Sequence, residues 1–457
     1  MKAMELLEVF FKTIEHFYPK FNMEWLGKIP DPRNPNMITY KIQMLLLGGI
    51  FLFSFKLRSR RNLKFKLHNE TFLATLSEWL KREGVLSEDE AKESKSFPHG
   101  DTLEYLLERL DPKYLGEILA KMNERLIRMR ALEKYRLFNR YYTIAIDATW
   151  ELRFNHEHCT QCLRMKVGED REGQPKYIYY HPVLEAKLVT PNGLALSIAT
   201  EFIENIIVNE NDNFEKQKQD CELRAFYRLA PKIKKAFPQL NICLVLDGLY
   251  AGKPVFDICE KYNWKRIITF KEGSMPATYE EFETLKKLSP ENYAYKEEEN
   301  GTVQRFHWVN EIDYEGHKLN VLECRESTIE KSCRFVWLTD FTINSLTFEE
   351  IAKGGRIRWK IENEGFNMQK NGGYELEHAY SLNQTAIKNF YFLLQIAHIL
   401  NQLMEKGSLL KEKLLKIFGS IKNFTAALYQ AFISCVFHFN AGFFARRIQI
   451  RFSFDSS

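Results

Sequence analysis

The spacing of apolar residues divides the chain into a helical part followed by a part rich in strands. Residues 1–138 repeat apolar positions at intervals of three and four, as in MELLEVFFKTIEHF, which predicts amphipathic helices. From about Tyr141 short apolar runs replace this pattern. Five of them predict strands: YYTIAIDAT, YIYYHPVLEAKLVT, LALSIATEFIE, NICLVLDG and KRIITF. Helical segments separate the later runs, so the order predicts an α/β (α+β) fold, a mixed sheet flanked by helices.

The regular order of strands and helices is interrupted between residues 275 and 340. Apolar positions alternate in NYAYKEEENGTVQRFHWVNEIDYEGHKLNVLECRE, and turns are expected at Asn300-Gly301 and Glu315-Gly316. This pattern predicts an antiparallel β insertion. Helices return afterwards, and the tail is helical and basic near Arg446 and Arg447. We therefore divide the chain into parts with these bounds: 1–138, 139–274, 275–340, 341–405 and 406–457.

Composition and charge narrow the class of protein only slightly. The chain has 457 residues, 45% of them apolar, and a formal net charge of +5, which suits two or three globular domains. The N-terminal stretch contains Glu5 and Glu8 and does not fit a secretory signal. The run MLLLGGIFLFSF is too short to span a bilayer, so we expect a buried helix and no membrane association. Eight cysteines without a framework pattern predict a reduced, cytoplasmic protein.

Three acidic residues form the candidate catalytic set. Asp147 and Asp247 each follow an apolar run, and ligands gather at the carboxyl ends of strands in open sheets. Neighbouring carboxylates repel each other unless a cation lies between them, and Mg²⁺ prefers such oxygen ligands. A third carboxylate is needed for a second ion, and Glu362 in RWKIENEGFNMQK supplies it. Taken singly, a strand-ending Asp is more often a turn or cap residue.

The residues around Glu362 predict one face of a helix. Arg358 and Glu362 are four residues apart and share that face, so they form at least an i,i+4 ion pair. Trp359 and Ile361 are expected to be core contacts.

The ordered set of strand–Asp147, strand–Asp247, β insertion and helix–Glu362 resembles the DDE transposases of bacterial insertion sequences. It is similar to the branch with an RNase H-like catalytic domain and a β-rich insertion before the Glu. That branch has the signature Tyr, two residues, Arg, three residues, Glu, six residues, Lys. Arg358 and Glu362 match its centre, whereas Gly355 and Gln369 stand where Tyr and Lys are expected. Lys370 is one residue late, about 100° round a regular helix.

The resemblance covers roughly residues 139–405 and implies metal-dependent DNA cleavage and strand transfer. It implies two Mg²⁺ ions, with Mn²⁺ as a substitute, bound by the three acids. The partners it implies are double-stranded DNA at the element ends and target, and a second copy in a synaptic homodimer. The location it implies is the bacterial cytoplasm, at the nucleoid. Two alternatives remain open: a related nuclease that cuts without joining, and a DNA-binding descendant that has lost catalysis.

Basic residues in two places are candidate DNA contacts. The segment FKLRSRRNLKFK, within the N-terminal part that we expect to bind DNA, contains no acid, and a solvated helix face is its alternative interpretation. Near Glu362, Arg358 suits bidentate phosphate contact. Trp308 could stack on an unpaired base, although a core position is favoured. The candidate cations are Lys56, Arg58, Arg60, Arg61, Lys353, Arg356, Arg358, Lys360 and Lys370.

A cluster of potential metal ligands follows the strand of Asp147. The sequence HEHCTQC contains His156, His158, Cys159 and Cys162, and the Cys-x-x-Cys spacing suits zinc. His181 would come close if its strand pairs with the preceding one. No second, well-separated ligand pair is evident, so a loop with free thiols is the favoured alternative.

Overall fold

The computed structural model describes residues 3–93, 96–169, 171–205, 219–410, 417–439 and 449–452. The expected basic tail around Arg446 and Arg447 lies outside these ranges.

The N-terminal part is helical, as predicted. Its helices are α1 (Ala3–Phe17), α2 (Ile42–Ser54), α3 (Arg61–Leu67), α4 (Glu70–Arg82), α5 (Glu88–Glu93), α6 (Gly100–Leu107) and α7 (Lys113–Arg128). Local chemistry sets their ends: the Asn69 side chain accepts a hydrogen bond from the Phe72 amide and so caps α4. The apolar run around Leu46 is the buried helix that was expected, with α2 buried along nearly its whole length. No helix among the described residues is both long and apolar enough to cross a membrane.

A single mixed sheet forms the centre of the molecule. Its strands are β1 (Tyr142–Phe154), β2 (Leu163–Glu169), β3 (Pro175–Val189), β4 (Ala195–Phe202), β5 (Ile242–Leu246), β6 (Lys265–Thr269), β7 (Tyr293–Glu297), β8 (Val303–Tyr314), β9 (His317–Ser327) and β10 (Ser332–Thr339). Their order is β2-β3-β1-β5-β6-β10-β9-β8-β7, with β4 also paired to β3. The pairs β1–β5 and β5–β6 are parallel, and the others are antiparallel. The predicted class, a mixed sheet flanked by helices, is confirmed.

The β insertion continues this sheet. Both predicted turns join antiparallel strands, β7 to β8 and β8 to β9. The last strand, β10, pairs with β6 and so attaches the insertion to the sheet edge. A helix, α10 (Pro276–Leu288), precedes these strands and was not predicted.

Two strand predictions were incomplete near Asp147. The first strand does not end on this acid: β1 continues to Phe154, with a register shift between Trp150 and Leu152. Strand β2, which pairs with β3, was also missed. Most of its residues are exposed, so it lacks the apolar alternation from which strands are predicted.

The remaining helices pack on the sheet and on the N-terminal helices. They are α8 (Glu222–Ala236), α9 (Lys253–Tyr262), α11 (Phe348–Ile357), α12 (Met368–Asn371), α13 (Gln384–Lys406) and α14 (Ile421–Ser434). A π-helical segment, Ile361–Asn367, lies between α11 and α12. Helix α13 is buried on almost every side and contacts both α2 and β4, so it links the helical part to the sheet.

Candidate active site

Asp147 and Asp247 occupy equivalent positions on neighbouring parallel strands. The parallel pairing of β1 with β5 ends at Ala145 and Val245, and each acid lies two residues further on. Asp247 follows β5 directly, and its side chain accepts a hydrogen bond of 2.9 Å from the Leu249 amide. Asp247 therefore caps the turn that follows β5, and it also belongs to the acidic cluster. The two predicted acids thus lie side by side just beyond the last parallel pair of β1 and β5.

Arg358 connects the third acid to the first. One guanidinium nitrogen, Nη2, lies 2.8 Å from Glu362 Oε1, and the other, Nη1, lies 3.5 Å from Asp147 Oδ2. Arg358 is only 7% exposed, so this contact is partly shielded from solvent. The i,i+4 ion pair expected from the sequence is present. The helix of Glu362 packs beside the strand of Asp147, as the three-acid prediction requires.

Glu222 is a fourth acid at this site, and sequence reasoning missed it. It is the first residue of α8, and its Oε1 accepts a hydrogen bond of 2.7 Å from the Tyr250 hydroxyl. Burial raises its pKa, the Asp247 charge raises it further, and Arg358 opposes both effects. The sequence pattern predicts a helical segment between the apolar runs here, but it does not indicate that Glu222 lies beside a strand end.

The cluster contains more negatively charged groups than positively charged ones. Burial raises the pKa of Asp147 to about 7, and the nearby Glu222 and Glu362 charges add to this effect while Arg358 opposes it. Asp147, Glu222 and Glu362 therefore share the positive charge of one guanidinium, and a carboxylate in such surroundings takes up a proton or a cation. All the donors are oxygens, which suits Mg²⁺ or Mn²⁺.

The acidic cluster is more open than a closed metal cage. In the described part of the chain, the ligand atoms of Cys159, Cys162 and His181 all lie within 4.8 Å of one another. Among the described acids of this cluster, no three come that close together. A wider oxygen set suits an ion that keeps waters or phosphate oxygens in its coordination.

The two departures from the transposase signature have structural reasons. Gly355 lies against the Trp337 ring, and a Cβ there would come within 2.3 Å of Trp337 Nε1, so a tyrosine does not fit. Gln369 is fully buried and donates hydrogen bonds to Gln395 (2.7 Å) and towards His398 (2.9 Å). Position 369 therefore faces the core and not the acids.

The π-helical segment changes where Lys370 lies. A π-helical turn contains one residue more than an α-helical turn, and such insertions often occur at functional sites. Because of this extra residue, Lys370 points in nearly the direction from the helix axis that residue 369 would have in an uninterrupted α-helix. The offset of about 100° expected for Lys370 is thereby reduced. Its amine lies 2.7 Å from Glu377, on the part-exposed surface.

Other predicted cations near Glu362 are paired with acids. Lys360 lies 2.9 Å from Glu364, and Arg356 lies 2.8 Å from Glu326. Lys353 is more exposed and lies 3.9 Å from Glu350. These pairs are at the surface, where such contacts contribute little and exchange readily with other anions.

The upstream basic segment is divided by the fold. Lys56 points inward, where its amine lies 4.9 Å from the Tyr374 ring centre and burial lowers its pKa to about 8. Arg60 is paired with Glu104 and Asp101, and Arg58 lies 3.3 Å from Glu375. The DNA contacts expected of these cations stay predictions, and in this structure the Lys56 amine is directed at the Tyr374 ring and not at the surface.

Apart from Arg58, the exposed cations of this segment lie on α3. They are Arg61, Lys64 and Lys66, and Phe65 between them is 79% exposed.

Of the two tryptophans considered from the sequence, Trp308 occupies the favoured core position, whereas Trp359 does not lie in the core. Trp308 is 6% exposed and stacks on Phe348, so it is a core residue and not a platform for a base. Trp359, expected in the core, is 51% exposed and its ring lies 4.7 Å from the Arg358 guanidinium carbon. Ile361 is buried as predicted.

The cysteine and histidine cluster is assembled differently from the predicted set. Cys159, Cys162 and His181 come together, because β1 and β3 pair and place Leu152 opposite His181. His158 lies nearby, with its ring centre 6.4 Å from that of His181. His156 is exposed and is not in the cluster.

Comparisons with known proteins add no family to this description. No protein-family model matches the chain. No curated protein sequence matches it significantly.

Proposed function

We propose that this chain is a metal-dependent enzyme that cleaves DNA and transfers its strands, as the DDE transposases of bacterial insertion sequences do. The observation that carries the proposal is the bridge from Arg358 to both Asp147 and Glu362, with distances of 3.5 and 2.8 Å. Asp147 lies more than 200 positions before Arg358 and Glu362, and all three were already assigned to one site from the sequence. Asp247, on the adjacent parallel strand end, completes the set.

The residues present fit two Mg²⁺ ions, or Mn²⁺ in their place. Asp147, Asp247 and Glu362 would hold the ions, and Glu222 adds a fourth oxygen donor group. Two such ions supply activation of the attacking water or 3′-hydroxyl and stabilisation of the leaving oxygen. The raised pKa values of Asp147 and Glu222 in the metal-free chain agree with a site built for added positive charge.

Arg358 orients the site in this proposal. Its fork of N–H donors holds Asp147 and Glu362 in fixed relation, and a guanidinium also suits bidentate contact with a phosphate. Trp359 shields one face of the guanidinium. Lys370 and the exposed cations of α3 would contact the DNA backbone. Two copies bound to two element ends would form the synaptic complex, in the bacterial cytoplasm at the nucleoid.

The experiment that tests the proposal is cleavage of DNA that carries the sequences flanking the chain's own coding region, with Mg²⁺ and with EDTA. We expect Mg²⁺-dependent cuts at the element ends, and joined products on a target plasmid. Asp147→Asn, Asp247→Asn and Glu362→Gln should each abolish cutting and still bind the DNA.

Glu364→Gln is the matched control for Glu362→Gln. Glu364 lies two residues away and pairs with Lys360 outside the acidic cluster, so its loss should leave cutting intact. Substantial cutting by Glu362→Gln would contradict the proposal. Cuts without joined products would indicate a nuclease, and DNA binding by a folded wild-type chain without any cuts would indicate a descendant that has lost catalysis.

A further inference from the structure

A second ligand cluster lies outside the acidic site, in the loop that joins β1 to β2. Cys159 Sγ and Cys162 Sγ are 3.3 Å apart, and His181 Nε2 lies 3.4 Å from the first and 3.2 Å from the second. His181 belongs to β3, so the cluster joins a loop to a sheet strand. Cys162 and His181 are buried, and Cys159 is partly buried.

We propose that Cys159, Cys162 and His181 bind a structural zinc ion, with His158 as the fourth ligand. This proposal does not depend on the proposed catalytic function.

The triangle of three ligand atoms has the size that zinc requires. A point equidistant from three atoms about 3.3 Å apart lies about 1.9 Å from each, slightly less than a Zn–S bond of about 2.3 Å. An ion would therefore sit just outside the plane of the three atoms. Zinc in structural sites is four-coordinate and tetrahedral, so one position is left for a further ligand.

His158 is the residue placed to fill that position. Its Nε2 lies 3.2 Å from the Leu382 carbonyl oxygen, to which it can donate a hydrogen bond. That bond leaves Nδ1 with a lone pair, and histidines that bind metals commonly donate their other ring N–H to a carbonyl in this way. The centres of the His158 and His181 rings are 6.4 Å apart, which places His158 beside the cluster.

The loop is held in place by contacts other than those of the ligands. The Cys162 amide donates to the Cys159 carbonyl (3.2 Å), and Asn205 Nδ2 donates to the Cys162 carbonyl (2.8 Å). The Asn205 amide also donates to the Gln161 carbonyl, at 3.2 Å. Both cysteines are therefore positioned before a metal binds, which lowers the entropy cost of assembling the site. Binding displaces the two thiol protons to solvent.

A bound zinc ion would fix the loop after β1 against its antiparallel partner strand β3. Register pairs Leu152 with His181 and, further along the same two strands, Asp147 with Glu185. A zinc ion would join the loop after β1 to β3, and through His158 to the segment before α13. We expect removal of the zinc to lower the melting temperature of the chain.

The first test is the zinc content of the full-length protein after dialysis against a zinc-containing buffer. We expect one zinc per chain in the wild type and in His156→Ala, the control with an exposed histidine outside the cluster. Cys159→Ser/Cys162→Ser and His181→Ala should lose it. Co²⁺ in place of zinc should give the charge-transfer absorption of thiolate ligation. Equal zinc content in the wild type and the double cysteine variant would overturn the proposal.

A second measurement uses only the wild type, in case a variant fails to fold. Zinc should protect the partly buried Cys159 from alkylation, and a chelator should remove that protection. Cys221, which is exposed, should react under both conditions. Equal alkylation of Cys159 with and without zinc would contradict the site. A Cys159–Cys162 disulfide in the purified chain, with no zinc uptake after reduction, would also contradict it and would show that the pair is a redox couple.

Discussion

At the scale of single residues, the fold changes the ionisation of Asp147, the first acid of the candidate site. Its pKa is raised to about 7 because the carboxyl is buried beside Glu222 and Glu362 and only Arg358 opposes these effects. The folded chain therefore holds a proton that an unfolded chain releases near pH 4. Such a group stabilises the fold at low pH, and that contribution is lost as the pH rises towards 7.

We predict that, without divalent metal, the stability of the wild type falls between about pH 4 and about pH 7. The loss due to Asp147 is about 1.4 kcal/mol for each pH unit in this window. Asp147→Asn removes the titrating group, so its stability should depend less on pH over the same range. Urea unfolding at several pH values in EDTA measures both slopes. Equal slopes in the two proteins would show that Asp147 has an ordinary pKa.

Mg²⁺ provides a control for this prediction. If the carboxylates bind the ion, added Mg²⁺ should raise the stability of the wild type most at the upper end of the window, where the acids are ionised. Asp147→Asn should gain less.

At the scale of elements, the helix of Glu362 carries two features that a regular α-helix lacks. The π-helical segment Ile361–Asn367 shifts every later residue round the axis, so Gln369 faces the core and Lys370 faces outward. Gly355, in α11, allows the helix to approach the Trp337 ring on β10. Both features place Glu362 and Arg358 against the sheet.

We predict that Lys370, and not position 369, contributes a cation to DNA cleavage. Lys370→Ala should weaken DNA binding and slow cleavage, because it removes a phosphate contact. Gln369→Lys should not compensate for this loss. Position 369 is buried beside Gln395, which already bonds to the Lys187 amine at 2.8 Å, so a second cation there is costly to bury.

The measurement is cleavage and stability for Lys370→Ala, Gln369→Lys and the double variant. We expect the double variant to be both less stable and no more active than Lys370→Ala. Recovery of activity in the double variant would mean that the π-helical segment does not set the position of this lysine.

We predict that Gly355→Ala destabilises the protein, although alanine favours helices. The added Cβ would meet the buried Trp337 ring at 2.3–2.6 Å, and overpacking of this kind typically costs about 1–3 kcal/mol. Gly273→Ala is the matched control, because nothing lies within 4 Å of a Cβ at that position. Urea unfolding compares the two variants, and an equal effect in both would refute the steric explanation for the missing signature tyrosine.

At the scale of the whole molecule, the features that were predicted correctly are those that local sequence patterns determine. The mixed sheet, its flanking helices and the β insertion follow from apolar runs and the turns between them, whereas the continuation of β1 beyond Asp147 was not predicted. Glu222 was missed because its role depends on where α8 begins relative to Asp247, which is a tertiary contact. Burial of Lys56 and exposure of Trp359 were likewise missed, since the pattern does not show which neighbours cover a side chain.

The same reasoning applies to the metal-ligand cluster. The Cys-x-x-Cys spacing marked Cys159 and Cys162, but the choice between His156 and His181 depended on strand pairing. Local spacing identifies potential ligands that are neighbours in the sequence. The pairing of strands in the sheet determines which distant residue lies beside them.

The last prediction concerns the positive charges that are exposed on α3. A protein that neutralises Z phosphates loses affinity with salt, with a log–log slope of about −0.9Z on duplex DNA. Arg61, Lys64 and Lys66 are exposed, so their joint replacement by Gln should weaken DNA binding and reduce the slope by up to about 3. Lys56→Met is the control within the same segment, and it should leave the slope unchanged because its amine is directed at the Tyr374 ring.

Fluorescence anisotropy with labelled duplex at several salt concentrations measures these slopes. Circular dichroism checks that both variants are folded. If the triple variant keeps the wild-type slope, DNA does not contact α3, and the backbone contacts must come from the cations around Glu362. If Lys56→Met reduces the slope as much as the triple variant does, the segment rearranges on binding and Lys56 turns outward to a phosphate. The two results therefore separate a fixed basic surface from one that forms only with DNA.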